Sequence, residues 1–592
     1  EHNINKGMST HRHIDPSSRS VNIKLDLVNP SITCRPIEYF ETPLQLPVVA
    51  SYLNKLQFIE QINDRVTWDS TQWKYSPGIL AQLLVLLPFV SANKKVSLSR
   101  IHEAYAGIDL ELLVGEPIDP ATLNDDMFGR VLDRIYEAGC SSLFSSIALS
   151  VRLTFNLPEN FILHSDTTSH VLYGDYECDA GEKPQIKIIP GYSKQKRDDL
   201  NQIMTGAVTD GDGLILYSKV LDGNTADCSY NNLVVDELRE IFGEGFKKYS
   251  YIADSKLLNK PNVEKLFKGP HPIRFISRIP ENFHKKLAEK ARTQAYTENK
   301  WAYQGPCCSH PGKTSTEYWS CAISESIYGH PCTVNVYRSS ERERFIEKKV
   351  DKAKDELKSV LQELEKREFA CEPDALAEKK RFLKGYSKSL IYPELVLVCK
   401  EEIKKPVGRP AKNPKPPKII RNWKIQTVDI KRNEEIIEKR KRKAATFSLL
   451  TNIPQEEMGS ADVLITYKGQ GKVEQNFKIL KEPLMAATIF LEKDTRIAAL
   501  MTMLYFSALL HGILRLLTHI ELEKLPEPPR INSNNRPLIR PTSDTMIWLL
   551  SLFKIRSSDE GYQIYTVVSN RRDQVSLLLK LTRFDLDFIG PC

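Results

Sequence analysis

The amino-acid sequence predicts an α/β fold: a mixed sheet flanked by helices, interrupted by a long α+β insertion and preceded by a helical N-terminal region. Three observations point there. Apolar runs at 161–166, 203–209, 214–220, 248–254 and 272–279 alternate with an amphipathic helix at 230–242 and a short helix at 262–268. That rhythm breaks at 281 and resumes only with the apolar run 446–451. Residues 45–150 carry helical spacing instead.

Each element has a local reason. Residues 1–20 are polar and read as a mobile tail without a signal peptide. Gly78 to Val90 is an apolar helical run, and Met127 to Ala138 places apolar residues at helical spacing. Asp210-Gly-Asp-Gly213 is a turn that joins two strands into a hairpin. A further strand is expected around 185–189. Pro261 opens the 262–268 helix, because proline is at home in a first helical turn. Thr316 to Tyr337 reads as short strands. Ile346, Val350, Ala353, Leu357, Val360 and Leu364 then form a helical seam, expected to pack within the chain as a hairpin. Residues 404–424 hold eight Lys/Arg, five Pro and no acid, the composition of an extended linker. A helix starts near Gly471, and Pro483 marks its end. Ile497 to Leu517 is long enough to span a bilayer, but it contains His511 and Arg515 and stands alone, so a buried helix is expected. We divide the chain into a tail at 1–20, a mostly helical domain at 21–155, a sheet core at 156–280 and 446–520, an insertion domain at 281–445 and a C-terminal segment at 521–592.

The composition bounds the partners. Of 592 residues, 41% are hydrophobic and 27% charged, which excludes a mostly disordered chain, a collagen and a polytopic membrane protein. The formal net charge is +8, yet residues 400–443 alone carry sixteen Lys/Arg against six Asp/Glu. The remainder is therefore slightly acidic, and one segment supplies the excess positive charge. That asymmetry suits a polyanion contact. The eleven Cys form no CxxC pair, so reduced thiols fit better than a disulfide framework or a zinc site. Cys307, Cys308 and His310 are the nearest thing to a metal cluster.

The chemistry lies in three acids. Asp166 and Asp254 each end a predicted strand, and Glu474 lies on a late helix. Acids at two strand ends and on one helix make a ribonuclease-H-like pattern. Such carboxylates suit two Mg²⁺ ions, with Mn²⁺ as a substitute, which can clamp the attacking and leaving oxygens of a phosphodiester. Tyr467, Glu474 and Lys481 are spaced by seven, so a continuous helix would align them with Gln470 and Lys478 beside an apolar stripe of Val473, Phe477, Leu480 and Leu484. Gly469 and Gly471 are expected to put Tyr467 and Gln470 in the turn before that helix. His164 shares a strand face with Asp166 and reads as a packed histidine rather than a base. Asp222 and Asp227 read as turn-forming residues. Pro406-Val-Gly-Arg409-Pro410 resembles an AT-hook core, an extended element of narrow minor grooves. Lys439 to Lys443 is a second basic run, either a DNA contact or a solvated helix end.

The spacing Tyr467-x2-Gln470-x3-Glu474-x6-Lys481 resembles the Tyr-x2-Arg-x3-Glu-x6-Lys signature of DDE transposases from bacterial and archaeal insertion sequences. Asp166-Thr-Thr-Ser169, Gly191-Tyr-Ser-Lys194, Arg197-Asp-Asp-Leu200, Asp222-Gly-Asn-Thr-Ala-Asp227 and Ala253-Asp-Ser255 are similar to stretches of that group, so the likeness spans about residues 100–520. The resemblance implies Asp166, Asp254 and Glu474 as ligands of two metal ions. It implies Tyr467 and Lys481 as contacts to transposon-end phosphates. Gln470, Lys472, Lys478, Lys194, Arg197 and Arg409 complete the expected DNA-facing set. The family has Arg where this chain has Gln470, which keeps a hydrogen bond and loses a charge. The implied partners are terminal inverted repeats, target DNA and a second copy of the chain, with no membrane and a cytoplasmic, nucleoid-associated location. The implied activity is cleavage at the element's ends followed by strand transfer. A structure-specific nuclease that never joins strands, and a decayed DNA-binding copy, share the same features.

Overall fold

The computed structural model describes residues 40–90, 97–174, 176, 183–193, 197, 199–269, 271–284, 286–307, 315–404, 418–481, 491–531, 536–558, 561–566, 571 and 574–586. The tail at 1–20, the AT-hook-like segment, Leu484 and the Cys308/His310 pair lie outside these residues.

Among the described residues, nine strands make the central sheet. They are β1 (Ile162–Val171), β2 (Gln202–Asp210), β3 (Ile215–Leu221), β4 (Ser250–Ala253), β5 (Arg274–Arg278), β6 (Ala302–Cys307), β7 (Thr316–Ile327), β8 (His330–Ser339) and β9 (Thr446–Thr451). Their order is β3-β2-β1-β4-β5-β9-β8-β7-β6. β1, β2 and β3 run antiparallel, whereas β1, β4 and β5 run parallel. This 3-2-1-4-5 half is the ribonuclease-H-like arrangement. Parallel neighbours need crossover connections: the helix Lys260–Phe267 lies between β4 and β5, and the helix Asp227–Phe242 carries the chain from β3 across to β4. Its Tyr230, Val234, Val235 and Leu238 bury one face of the sheet.

The insertion does more than interrupt. β6, β7 and β8 lie within 281–445 but extend the same sheet, with β9 pairing antiparallel to both β5 and β8. The expected strand at 185–189 is not formed; Ile189 makes a single bridge to Gln202. The helical seam is real, but one member differs. On the helix Ser340–Glu365, Ile346, Val350, Leu357, Leu361 and Leu364 are buried while Val360 is exposed. A straight helix keeps 3.6 residues per turn, so its buried face drifts off a strict heptad. The seam packs inside the chain, against the helix Glu434–Ala445 and the strands Ile391–Lys404 and Lys418–Arg432. Those two long strands also correct the linker reading. Residues 418–424 are paired strand, which begins directly after Pro417.

The first and last described segments share one core. Phe40–Pro43 pairs with Phe553–Ser558, which pairs with Gly561–Thr566. Leu549, Ile555 and Leu578 of the C-terminal segment join the same apolar cluster as Leu46, Leu83 and Phe128. Running through that cluster is the helix Asp494–Glu523. It is long and apolar enough to cross a membrane, yet its most apolar stretch is fully buried inside the protein. Phe506 meets Phe58 edge-on, Ser507 donates to the Val85 carbonyl, and Arg496 pairs with Asp133 at 2.6 Å.

Candidate active site

The register of two strands defines the site. On parallel strands β1 and β4, Ser165 aligns with Ala253, so Asp166 and Asp254 are the next residues at the same level. Parallel neighbours lie about 4.8 Å apart, and aligned residues face the same side. Asp254 leaves β4 in an extended conformation, and its Oδ1 accepts the Lys256 amide at 2.9 Å. Asp166 Oδ1 accepts the Thr167 amide at 2.8 Å.

Alternation along β1 puts His164, Asp166, Thr168 and His170 on one face. The helix Gly471–Lys481 covers that face. His164 sits under Gly469, and Lys481 is near enough to His170 to lower its proton affinity. Two residues beyond His164, about 7 Å along the strand, comes Asp166. Glu474 lies in the first turn of the covering helix.

One phenol reports on all three. Burial raises the Tyr467 pKa, the Arg278 guanidinium opposes the rise, and the charges of Asp254, Asp166 and Glu474 add to it. Tyr467 thus lies within electrostatic reach of every expected ligand. Among the described residues no three His, Cys, Asp or Glu side chains close on a single ion. The donor set still suits Mg²⁺, which takes one or two carboxylates per ion and completes its shell with water.

The turn before the helix differs from the expected one. Tyr467 belongs to a preceding helix, Ser460–Lys468, and the break falls at Gly469 and Gln470. A Cβ on Gly469 would lie 2.8 Å from His164 Nε2, so the close approach of helix to strand demands glycine there. Burial holds the His164 imidazole down to about 4, with Lys472 contributing, so it is a neutral packed residue. Val473, Phe477 and Leu480 are buried as the stripe required. Glu474 makes no ion pair with Lys478 among the described residues, and both are exposed.

Other expected residues fall in varied places. Lys472 is half-buried and donates its ammonium to the Gly211 carbonyl in the β2–β3 turn. Arg197 pairs with Asp199 at 2.9 Å on the surface. Lys194 and Arg409 lie outside the described residues. Asp222 accepts the Lys187 amide, and Asp227 accepts the Thr167 hydroxyl on the opposite sheet face. Sequence reasoning missed Arg278, which ends β5 beside Tyr467 without any motif to mark it. It also missed Asn476, which donates to the Gly213 carbonyl at 2.9 Å and ties the Glu474 helix to the hairpin turn.

A family model described as a transposase DDE domain matches residues 178–510, more than half of the sequence. The chain belongs to that family. The match to the DDE domain includes Asp254 and Glu474 and begins after Asp166. A second model, a domain of unknown function (DUF4277), matches residues 44–149, within the helical N-terminal region. A cryo-EM structure of the piggyBac transposase synaptic complex with hairpin DNA is similar over 87% of this chain and 82% of that chain, at 10% identity and a TM-score of 0.35. No curated protein matches the chain.

Proposed function

We propose that this DDE-family chain is the transposase of a bacterial or archaeal insertion sequence. It binds the terminal inverted repeats as a homodimer, hydrolyses the phosphodiester at the element's end and joins the freed 3′-hydroxyl to target DNA. It does this in the cytoplasm, at the nucleoid. One observation supports the reading: Asp166 and Asp254 follow register-matched residues of parallel strands, and Tyr467 feels the charges of both and of Glu474.

Asp166 and Asp254, with Glu474, would hold two Mg²⁺ or Mn²⁺ ions. When bound, such ions neutralise charge on the attacking and leaving oxygens. The chain's own side chains do the rest. Tyr467 stays a neutral phenol and donates a hydrogen bond to a phosphate oxygen. Arg278 beside it offers a planar cation to the same strand. Lys478, Lys481 and Gln470 extend that contact along the helix, with Gln470 contributing only a neutral hydrogen bond. His164, buried and neutral, fixes the helix seat and exchanges no proton with substrate.

The test is cleavage of a labelled duplex carrying the element's own terminus, in Mg²⁺, by wild type and Glu474→Gln. Wild type cuts at the element boundary. The variant binds equally but loses more than about 100-fold in rate, since even partners of metal ligands contribute about 10–100-fold. Equal cutting by both proteins would remove Glu474 from the site. Binding by both without cutting would leave a DNA-binding protein only.

A further inference from the structure

A groove of about 680 Å³ opens between the sheet and the insertion helices, with Tyr467 in its wall. Five cations converge on it from four elements: Arg278 at the end of β5, Arg342 in the first turn of Ser340–Glu365, Arg440 and Lys443 near the end of Glu434–Ala445, and Lys468 at the end of Ser460–Lys468. Arg278, Arg342, Arg440 and Lys443 are exposed and form no ion pair among the described residues. Lys468 donates to the Tyr318 hydroxyl. Of the two carboxylates on the groove wall, Glu281 is paired with Arg292 at 2.5 Å, and Glu341 accepts the Thr316 hydroxyl at 3.2 Å and keeps its charge, so among the described residues the groove holds five cations against one unpaired acid.

The neighbouring cleft shows what a merely structural charge cluster looks like in this protein. It holds as many carboxylates as cations. There Arg338 meets Glu343, and Lys441 meets both Glu347 and Glu438. Arg442 stacks on Tyr296 at 5.0 Å. The basic run 439–443 is thus split by its helix. Lys441 and Arg442 are neutralised or stacked on one side, while Arg440 and Lys443, three residues apart and so on one face, turn uncompensated charge toward the groove.

Uncompensated cations repel one another and gain only when an anion sits among them. Tyr467 and Arg278 line the groove, and Tyr467 also feels the charges of Asp254, Asp166 and Glu474. We propose that it seats the phosphodiester backbone of the DNA strand leaving the scissile phosphate, so that the insertion domain supplies half of the strand's path. This rests on the transposase reading above.

The experiment measures binding of the full-length protein to a labelled duplex over a range of salt concentrations. The variants are Arg440→Ala/Lys443→Ala and, as the control on the same helix, Lys441→Ala/Arg442→Ala. Each phosphate contact contributes about 0.9 to the slope of log K against log salt. The first pair should therefore lower the slope by about two, the control pair should leave it unchanged, and Arg440→Lys should preserve it. Equal loss in both pairs, or loss in neither, overturns the proposal. If millimolar inorganic phosphate abolishes the difference between the pairs, the groove takes a free anion and the proposal also fails. A lowered slope in a protein that never cleaves would sink the catalytic reading and keep the groove. An unchanged slope in a protein that cleaves would do the reverse.

Discussion

Gly469 and His164 show how little room separates the Glu474 helix from the sheet. Gly469 has ordinary right-handed helical angles, so alanine would suit its backbone. Space forbids it, because a Cβ would stand 2.8 Å from His164 Nε2 and 3.0 Å from the Thr466 carbonyl. Gly469→Ala should destabilise the protein by about 1–3 kcal/mol through overpacking. The cost should shrink in a His164→Ala background, a non-additivity that a double-mutant cycle reads directly. Two other histidines set the acid limit of the fold. Burial holds His170 down to about 3, helped by Lys481, and holds His511 down to about 4. Both remain neutral in the folded protein at pH values where the unfolded chain, with ordinary pKa near 6.5, takes up protons. Their contribution is complete above about pH 6.5 and is lost as pH falls, at about 1.4 kcal/mol per unit for each histidine. Urea midpoints taken from pH 7 downward should fall with that slope, and His511→Gln should flatten it by one proton.

The element that decides catalysis in this reading is the helix Gly471–Lys481, and a hairpin turn holds it. Lys472 and Asn476 donate to the carbonyls of Gly211 and Gly213. The turn is in turn fixed by Arg152, which meets Asp210 at 2.5 Å and Asp212 at 2.7 Å, and by Arg515, which donates to the Asp212 carbonyl. Asp210 is wholly buried, and desolvation raises its pKa despite the guanidinium. Arg152→Met should therefore cost about 3–5 kcal/mol, the penalty of a buried charge without its partner, as seen in chemical denaturation. Much of this element was legible beforehand. Val473, Phe477 and Leu480 announced the buried stripe, Gly469 and Gly471 announced a break, and Asp254 closes its strand as expected, whereas Asp166 lies in mid-strand because the polar residues 167–170 continue β1 to Val171. Those are local signals. Arg278 and Asn476 carried none, because their roles arise only when segments far apart in sequence meet. Nor could periodicity show that β6, β7 and β8 continue the core sheet, since a strand's pattern records its faces and not its neighbour.

At the scale of the whole molecule, the outer part of the insertion, residues 340–445, departs from and returns to one place. It leaves at Ser339 and comes back at Thr446, and Arg338 pairs with Thr446 across the antiparallel strands β8 and β9. Between them lies a unit with its own apolar cluster, including Val350, Leu357, Leu395 and Ile425. Replacing residues 340–445 with a two-residue Asn-Gly turn should preserve the sheet, because such turns join antiparallel neighbours directly. The excised protein should give a cooperative unfolding transition and lose DNA affinity, since Arg342, Arg440 and Lys443 go with the removed segment. Loss of cooperative unfolding would show instead that the sheet depends on the insertion. The position of β9 has a consequence for birth order. β5 and β8 both wait for that one strand, and it is translated long after either. At about 5–20 residues per second, a nascent chain spends many seconds with two naked strand edges before Thr451 clears the ribosome. The same delay withholds Glu474, so a ribosome-bound chain is a template for mispairing before it holds all three acids of the proposed site.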